Sequence, residues 1–242
     1  MEAEISKDAC LIRFVSFDFQ EEVKELSLGV MLGLLFEGFK FSIFIFLITL
    51  IGALPLGVVV AHLRMCKVKV VAAITHLYIS VMRGTPLMLQ LMAIMFGPYY
   101  LLGLQMGSDW KMWACSIGFI LNYAAYFGEI FRSGIQSIPV GQYEACAVLG
   151  YTKWQTFIQV VFPQVYKQIL PALGNEIITL VKDTSLAFVL GIGEIFSQAK
   201  AIAAKQVSMV PYALAAAIYW IFCLVITWIL NKQEKRMGYY HA

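Results

Sequence analysis

The stretch GNEIITLVKDTSLAFVLG, residues 174–191, sets Asn175, Glu176, Lys182, Asp183, Thr184 and Ser185 among apolar neighbours. Ionisable groups at membrane depth cost roughly 2.5–3.5 kcal/mol each on an insertion scale, and they usually mark a pathway or a pair. Lys182 and Asp183 are adjacent, so on a helix they point to different faces and cannot pair side by side. Thr179, Lys182 and Ser185 recur every third residue and can share one polar face. A zwitterionic solute needs a donor for its carboxylate and an acceptor for its ammonium group. This set offers both, which makes it a candidate lining for a translocation path. The residues alone allow two other readings: a structural polar cluster between helices, or a charged helix end at the membrane interface.

A second constellation is EACAVLGYTKWQTFIQVVFP, residues 144–163. Pro139 suits the start of a helix, where its missing N–H costs nothing. Glu144 follows it near the positive end of that helix. Gly150 can take the left-handed conformation that ends a helix. Thr152 and Gln155 have the spacing of a capping box, so a second helix starts at once. Trp154, Phe157, Ile158 and Val161 follow the i, i+3, i+4, i+7 rule. Pro163 is expected to stop or kink that helix. A membrane-surface helical hairpin would carry the same signals.

A third is RGTPLMLQL, residues 83–91. Arg83 stands at a helix bend beside Gly84, Thr85 and Pro86, which loosen the backbone. In lipid, the freed backbone groups must be satisfied by protein, water or side chains. On the residues alone, a kinked helix with Arg83 snorkelling to the interface accounts for the pattern.

Catalytic and metal chemistry are not visible. The five cysteines are scattered without a CxxC, and the three histidines are equally dispersed. No phosphate-binding loop GxxxxGK[ST] is present, so this chain is not expected to hydrolyse ATP.

The elements that must hold these groups follow from composition. The chain has 242 residues, 60% hydrophobic and 14% charged, against roughly 45–50% and about 25% in soluble domains. An all-α integral membrane protein is expected, with no large soluble domain. The net charge of +3 gives no case for nucleic acid. The N-terminus lacks a basic segment followed by an apolar core, so no cleavable signal peptide is expected.

About 20 apolar residues cross a bilayer. Spans are expected at 41–61, at about 70–102 with a bend near Arg83–Pro86, at 112–128, between Leu170 and Phe196, and at 206–231. The hairpin lies between the third and fourth. Lys40 and Glu37 read as interface anchors. Glu129 and Arg132 read as a helix-surface pair, and Glu194 as the outer end of the fourth span. Five spans put the termini on opposite sides. With the hairpin cytoplasmic, the N-terminus is outside and the C-terminus inside. Inner segments then carry ten Lys and Arg against six outside, in line with the positive-inside rule. Residues 1–35 read as a lead, in part an interfacial helix, 36–232 as the membrane domain and 233–242 as a tail.

The three motifs together resemble a known family. Glu144-Ala145, Gly150 and Pro163 keep the register of the EAA motif of ABC importer permeases, with Cys146, Val160 and Phe162 as apolar replacements. Arg83, Gly84, Thr85, Pro86 and Gln90 match the signature of the polar amino-acid subfamily. Residues 175–186 are similar to the NE-x-I-x-L-x-K-D-TSL stretch of amino-acid ABC permeases.

The resemblance implies the ABC transmembrane type-1 architecture in a bacterial cytoplasmic membrane. It implies a coupling loop that sits in a groove of a partner ATPase, and that partner binds ATP and magnesium. It implies a second permease chain, identical or homologous, an external solute-binding protein and an amino-acid substrate. Glu144, Ala145, Gly150, Trp154, Phe157 and Pro163 become the candidate coupling residues. A permease for cystine or an opine, and a self-contained secondary transporter or channel, stay open as alternatives.

Overall fold

A computed structural model describes residues 26–107 and 109–236. The expected lead over 1–25 and the end of the tail, 237–242, lie outside the described residues. Every regular element among the described residues is helical. α1 spans Leu28–Arg64, α2 Lys69–Gly84, α3 Leu87–Leu102 and α4 Trp110–Gln136. α5 spans Val140–Val148 and α6 Lys153–Gln155; a π segment, Thr156–Val161, leads into α7, Phe162–Asp183. A 3-10 segment, Thr184–Leu190, precedes α8, Ile195–Gln206, and α9, Val210–Arg236.

α1, α4 and α9 are each long and apolar enough to cross a membrane. Two bent pairs raise the number to five if each pair counts as one crossing. α2 and α3 meet at 109°, and the 153–190 run meets α8 at 59°. The bend expected at Arg83–Pro86 is therefore a full break. The expected fourth span, Leu170 to Phe196, is likewise two helices. Its break is set by Gly191 at φ +71°, which ends the 3-10 turn.

α1 has 37 residues and so runs about 55 Å, well beyond a hydrocarbon core of about 30 Å. It starts at Leu28, so residues 28–35 belong to this helix. Met31 and Leu35 are buried there against Ile195, Ala199 and Ile202 of α8. The main core joins α1, α3, α4 and α7 through Ile45, Phe46, Leu91, Phe119, Phe127 and Leu180.

Glycine permits a close crossing of α1 and α4 in this core. A Cβ at Gly57 of α1 would stand 2.8 Å from the Phe127 Cβ, and one at Gly128 of α4 would stand 2.6 Å from a Val60 methyl. Lipid tails give apolar helices no hydrophobic drive to associate, so close van der Waals approach at small residues takes that role. The outward faces stay apolar, as with Ile51 of α1 and Trp228 of α9.

Candidate functional site

The hairpin over 140–163 forms, and its turn is over-determined. α5 ends in a paired motif in which the Tyr151 N–H donates to the Cys146 carbonyl at 3.0 Å and the Gly150 N–H to Ala147 at 3.1 Å. Gly150 takes φ +76°, where a side chain would be strained. The Thr152–Gln155 capping box is complete: the Gln155 N–H donates to Thr152 Oγ1 at 3.3 Å, and the Thr152 N–H to Gln155 Oε1 at 2.9 Å. Cys146 is buried beneath the turn.

Three expectations are corrected here. Pro163 does not stop the second helix, which runs without interruption through α7 to Asp183. Proline cannot donate to the preceding turn, and the widened π segment directly before it accommodates that loss. Glu144 is the fifth residue of α5, beyond the first turn, so it caps nothing. It is exposed and makes no hydrogen bond or ion pair among the described residues. Trp154, Phe157, Ile158 and Val161 do not form one buried face, although the Trp154 and Phe157 ring centroids lie 6.5 Å apart. Val161 is fully buried, Phe157 half-buried against the cluster of Ile138, Val161 and Val165, and Trp154 is 71% exposed.

The hairpin exposes two further apolar residues that the motif reading passed over. Val148 is 88% and Leu149 72% exposed, and they flank the same turn as Trp154. The signal was local: two bulky apolar residues stand directly before a turn glycine, where a solvated turn carries polar ones. Ala145 is also exposed.

The RGTP segment is arranged the opposite way. At the α2–α3 break, the Met82 carbonyl accepts from Gln90 Nε2 at 2.9 Å and from Asn122 Nδ2 at 3.0 Å. Asn122 Nδ2 also donates to Gln90 Oε1 at 2.9 Å, and Gln90 Nε2 donates to Thr85 Oγ1 at 2.7 Å. Thr85 Oγ1 returns a bond to the Val81 carbonyl at 2.8 Å. The backbone freed by Pro86 is thus served by side chains, as lipid requires. Asn122, an amide in the apolar middle of α4, was not singled out in the sequence. Arg83 does not snorkel freely, since its guanidinium lies 5.2 Å from the Tyr126 ring centroid. A Cβ at Gly84 would meet nothing within 4 Å, so packing does not account for that glycine.

The polar set over 175–185 is not one lining. Glu176 opens into a cavity of about 330 Å³ with Arg83, Glu129, Arg132 and Gln168. Arg132 holds Glu129 with an N–O distance of 2.8 Å, the pair expected from their spacing. Lys182 and Ser185 line a second cavity of about 640 Å³ with Ile178, Tyr212, Tyr219 and Trp220. Asp183 points elsewhere and accepts from the Tyr123 hydroxyl at 2.7 Å. Thr184 is buried and donates to the Val181 carbonyl, while Asn175 and Thr179 are exposed. Adjacent residues on a helix diverge, and that fact divides the set.

Glu194 is also corrected. It is fully buried and caps α8 by accepting from the Phe196 and Ser197 N–H groups at 2.7 Å, with the Tyr219 hydroxyl at 3.1 Å. Among the described residues no three His, Cys, Asp or Glu side chains gather as a metal site.

Comparison with known proteins accords with this geometry. Residues 53–239 match the family described as binding-protein-dependent transport system inner membrane component. The arginine transport system permease protein ArtQ of Bacillus subtilis (strain 168) is 36% identical, over 83% of this chain and 91% of that protein. The L-cystine transport system permease protein TcyB of the same organism is 35% identical, over 85% and 87%. The crystal structure of an amino acid ABC transporter with histidines superposes with a TM-score of 0.78 at 32% identity, over 87% of this chain and 97% of that one. The chain therefore belongs to the binding-protein-dependent transport family: it is a multi-pass permease subunit of an ABC importer in the cytoplasmic membrane, and ATP hydrolysis falls to a separate subunit.

Proposed function

We propose that this permease carries amino acids inward, and that the 140–163 hairpin is where the ATPase docks. The observation that carries the docking assignment is the uncovered apolar group Val148, Leu149 and Trp154 on a turn fixed by two capping motifs. A rigid turn that exposes bulky apolar side chains suits burial in a partner's groove. Glu144, exposed and without a partner among the described residues, supplies a charged contact there, Ala145 lies beside it, and Gly150 permits the sharp turn. Phe157 and Pro163 support the hairpin from beneath.

One chain carries one hairpin, so a machine with two ATPases, each holding ATP and magnesium, uses two permease chains, identical or homologous. ATP closes the ATPase pair, draws the hairpins together and reopens the path to the outside. Each ligand must favour one state over the other for the cycle to do work. An external solute-binding protein delivers the substrate. The hairpin faces the cytoplasm, with the N-terminus outside and the C-terminus inside.

The cavity at Lys182 and Ser185 supports an amino-acid substrate. Its volume of about 640 Å³ suits a small molecule, for which sites of about 300–1,000 Å³ are usual. Lys182 offers a cation for the solute carboxylate, and the Ser185, Tyr212 and Tyr219 side chains beside it offer hydroxyl groups. Cystine remains a specific second reading, because one relative at 35% identity is an L-cystine permease.

The test is affinity purification of the tagged chain in mild detergent, followed by ATP-driven uptake in liposomes with a panel of amino acids. Recovery of an ABC ATPase, lost with Glu144→Lys or Gly150→Pro while the chain still inserts, is the expected result. Recovery of the chain alone, with uptake independent of ATP, would overturn the proposal.

A further inference from the structure

α9 carries a surface that the transport reading does not use. Its upper part packs against α8, but beyond Phe222 one side is uncovered. Leu224, Val225 and Trp228 are 48%, 48% and 64% exposed, and Lys232, Lys235 and Arg236 are exposed below them. At 3.6 residues per turn these six fall on a single stripe. The stripe is apolar along its upper length and triply cationic at its lower end. Glu234, the one acid of α9, is two residues from Lys232 and so lies on the opposite side of the helix from it.

The lower end is also tied in place. The Lys232 ammonium lies 5.1 Å from the Trp228 ring centroid. The Tyr166 hydroxyl of α7 donates to Gln233 Oε1 at 2.9 Å. That bond sets the end of α9 level with the start of α7, on the same side of the bundle as the hairpin.

We propose that this stripe is a binding site for an anionic phospholipid of the leaflet on the hairpin side. The acyl chains lie along Leu224 and Val225. The glycerol region meets Trp228, whose amphipathic ring suits the headgroup boundary. The phosphate meets Lys232, Lys235 and Arg236. Charge complementarity selects the occupant. A neutral lipid leaves three clustered cations unmatched, and a second copy of this chain would set them against an identical cationic stripe. Clustered basic residues just beyond a membrane helix attract anionic lipid, each contributing about fivefold in affinity.

The test uses the complex of the full chain with its ATPase in lipid nanodiscs. Trp228 fluorescence, obtained as the difference from Trp228→Phe, is quenched with brominated phosphatidylglycerol or brominated phosphatidylcholine. The phosphatidylglycerol probe is expected to act at a mole fraction more than about tenfold lower. Lys232→Gln combined with Lys235→Gln and Arg236→Gln removes that preference. Quenching by the phosphatidylcholine probe persists in this variant, which shows that the helix is inserted. Glu234→Gln keeps the preference. Equal quenching by both probes in the unaltered protein would overturn the proposal, as would a preference that survives the triple substitution. Absence of quenching by either probe would overturn it too, because it means that protein covers the face.

Discussion

Two of the breaks in this helical chain, at Thr85–Pro86 and at Leu149–Thr152, solve different problems. At the first, Gln90 and Asn122 answer the Met82 carbonyl that Pro86 leaves without its N–H partner, and Arg83 rests on Tyr126. At the second, the backbone is equally well served, by the paired motif at Gly150 and the box at Thr152. Its side chains are not: Val148, Leu149 and Trp154 stand uncovered. The first break turns its polar side chains onto its own backbone, whereas the second leaves an apolar group open. Under the docking proposal, the ATPase covers that group and the second break is the one that transmits force.

The contrast can be broken experimentally, starting at the hairpin. Leu149→Asp leaves the fold intact, since the side chain is mostly exposed, but it puts a charge into the proposed apolar contact. ATP-driven uptake should fall at least about tenfold, the scale of a lost hot spot, with ATPase recovery on the tagged chain lost in parallel. Gly150→Ala forces a side chain into φ +76°, at a cost of about 1–2 kcal/mol in the turn. Coupled transport should drop severalfold, measured as solute moved per ATP hydrolysed.

At the first break the effects should be on stability, not on coupling. Asn122→Leu removes the donor to Met82 and Gln90 together. Interhelical hydrogen bonds in membranes average about 0.6 kcal/mol and reach about 1.7. The variant should therefore lose about 1 kcal/mol, read as a lower melting temperature in detergent, with ATPase recovery unchanged. Tyr123→Phe deletes the single bond to Asp183 and should cost about half as much by the same measurement. Loss of ATPase capture in either of these two variants would erase the distinction between the breaks.

The sequence made some of this legible and hid the rest for physical reasons. The capping box, the turn at Gly150 and the pair Glu129–Arg132 are local devices, set by residues within one or two turns of each other. They were readable for that reason. Asn122 was not, because its partners are Met82 and Gln90, some 40 and 32 positions away, and one amide in an apolar helix carries no period. Pro163 misled because the penalty for a helical proline can be absorbed by a π segment just before it. The polar set over 174–191 was legible as a cluster, but its direction was not. Whether Lys182 and Glu176 open into one cavity or two depends on which helices pack on each face. Glu194 was read as a span end, yet burial under Tyr219 and α1 turned it into a cap.

The most direct test of the docking assignment is hydrogen–deuterium exchange on the detergent-solubilised permease, alone and bound to its ATPase. Added protection of the amides over 140–163, with those over 82–90 unchanged, is the expected result. Binding of the ATPase without added protection at the hairpin would contradict the account.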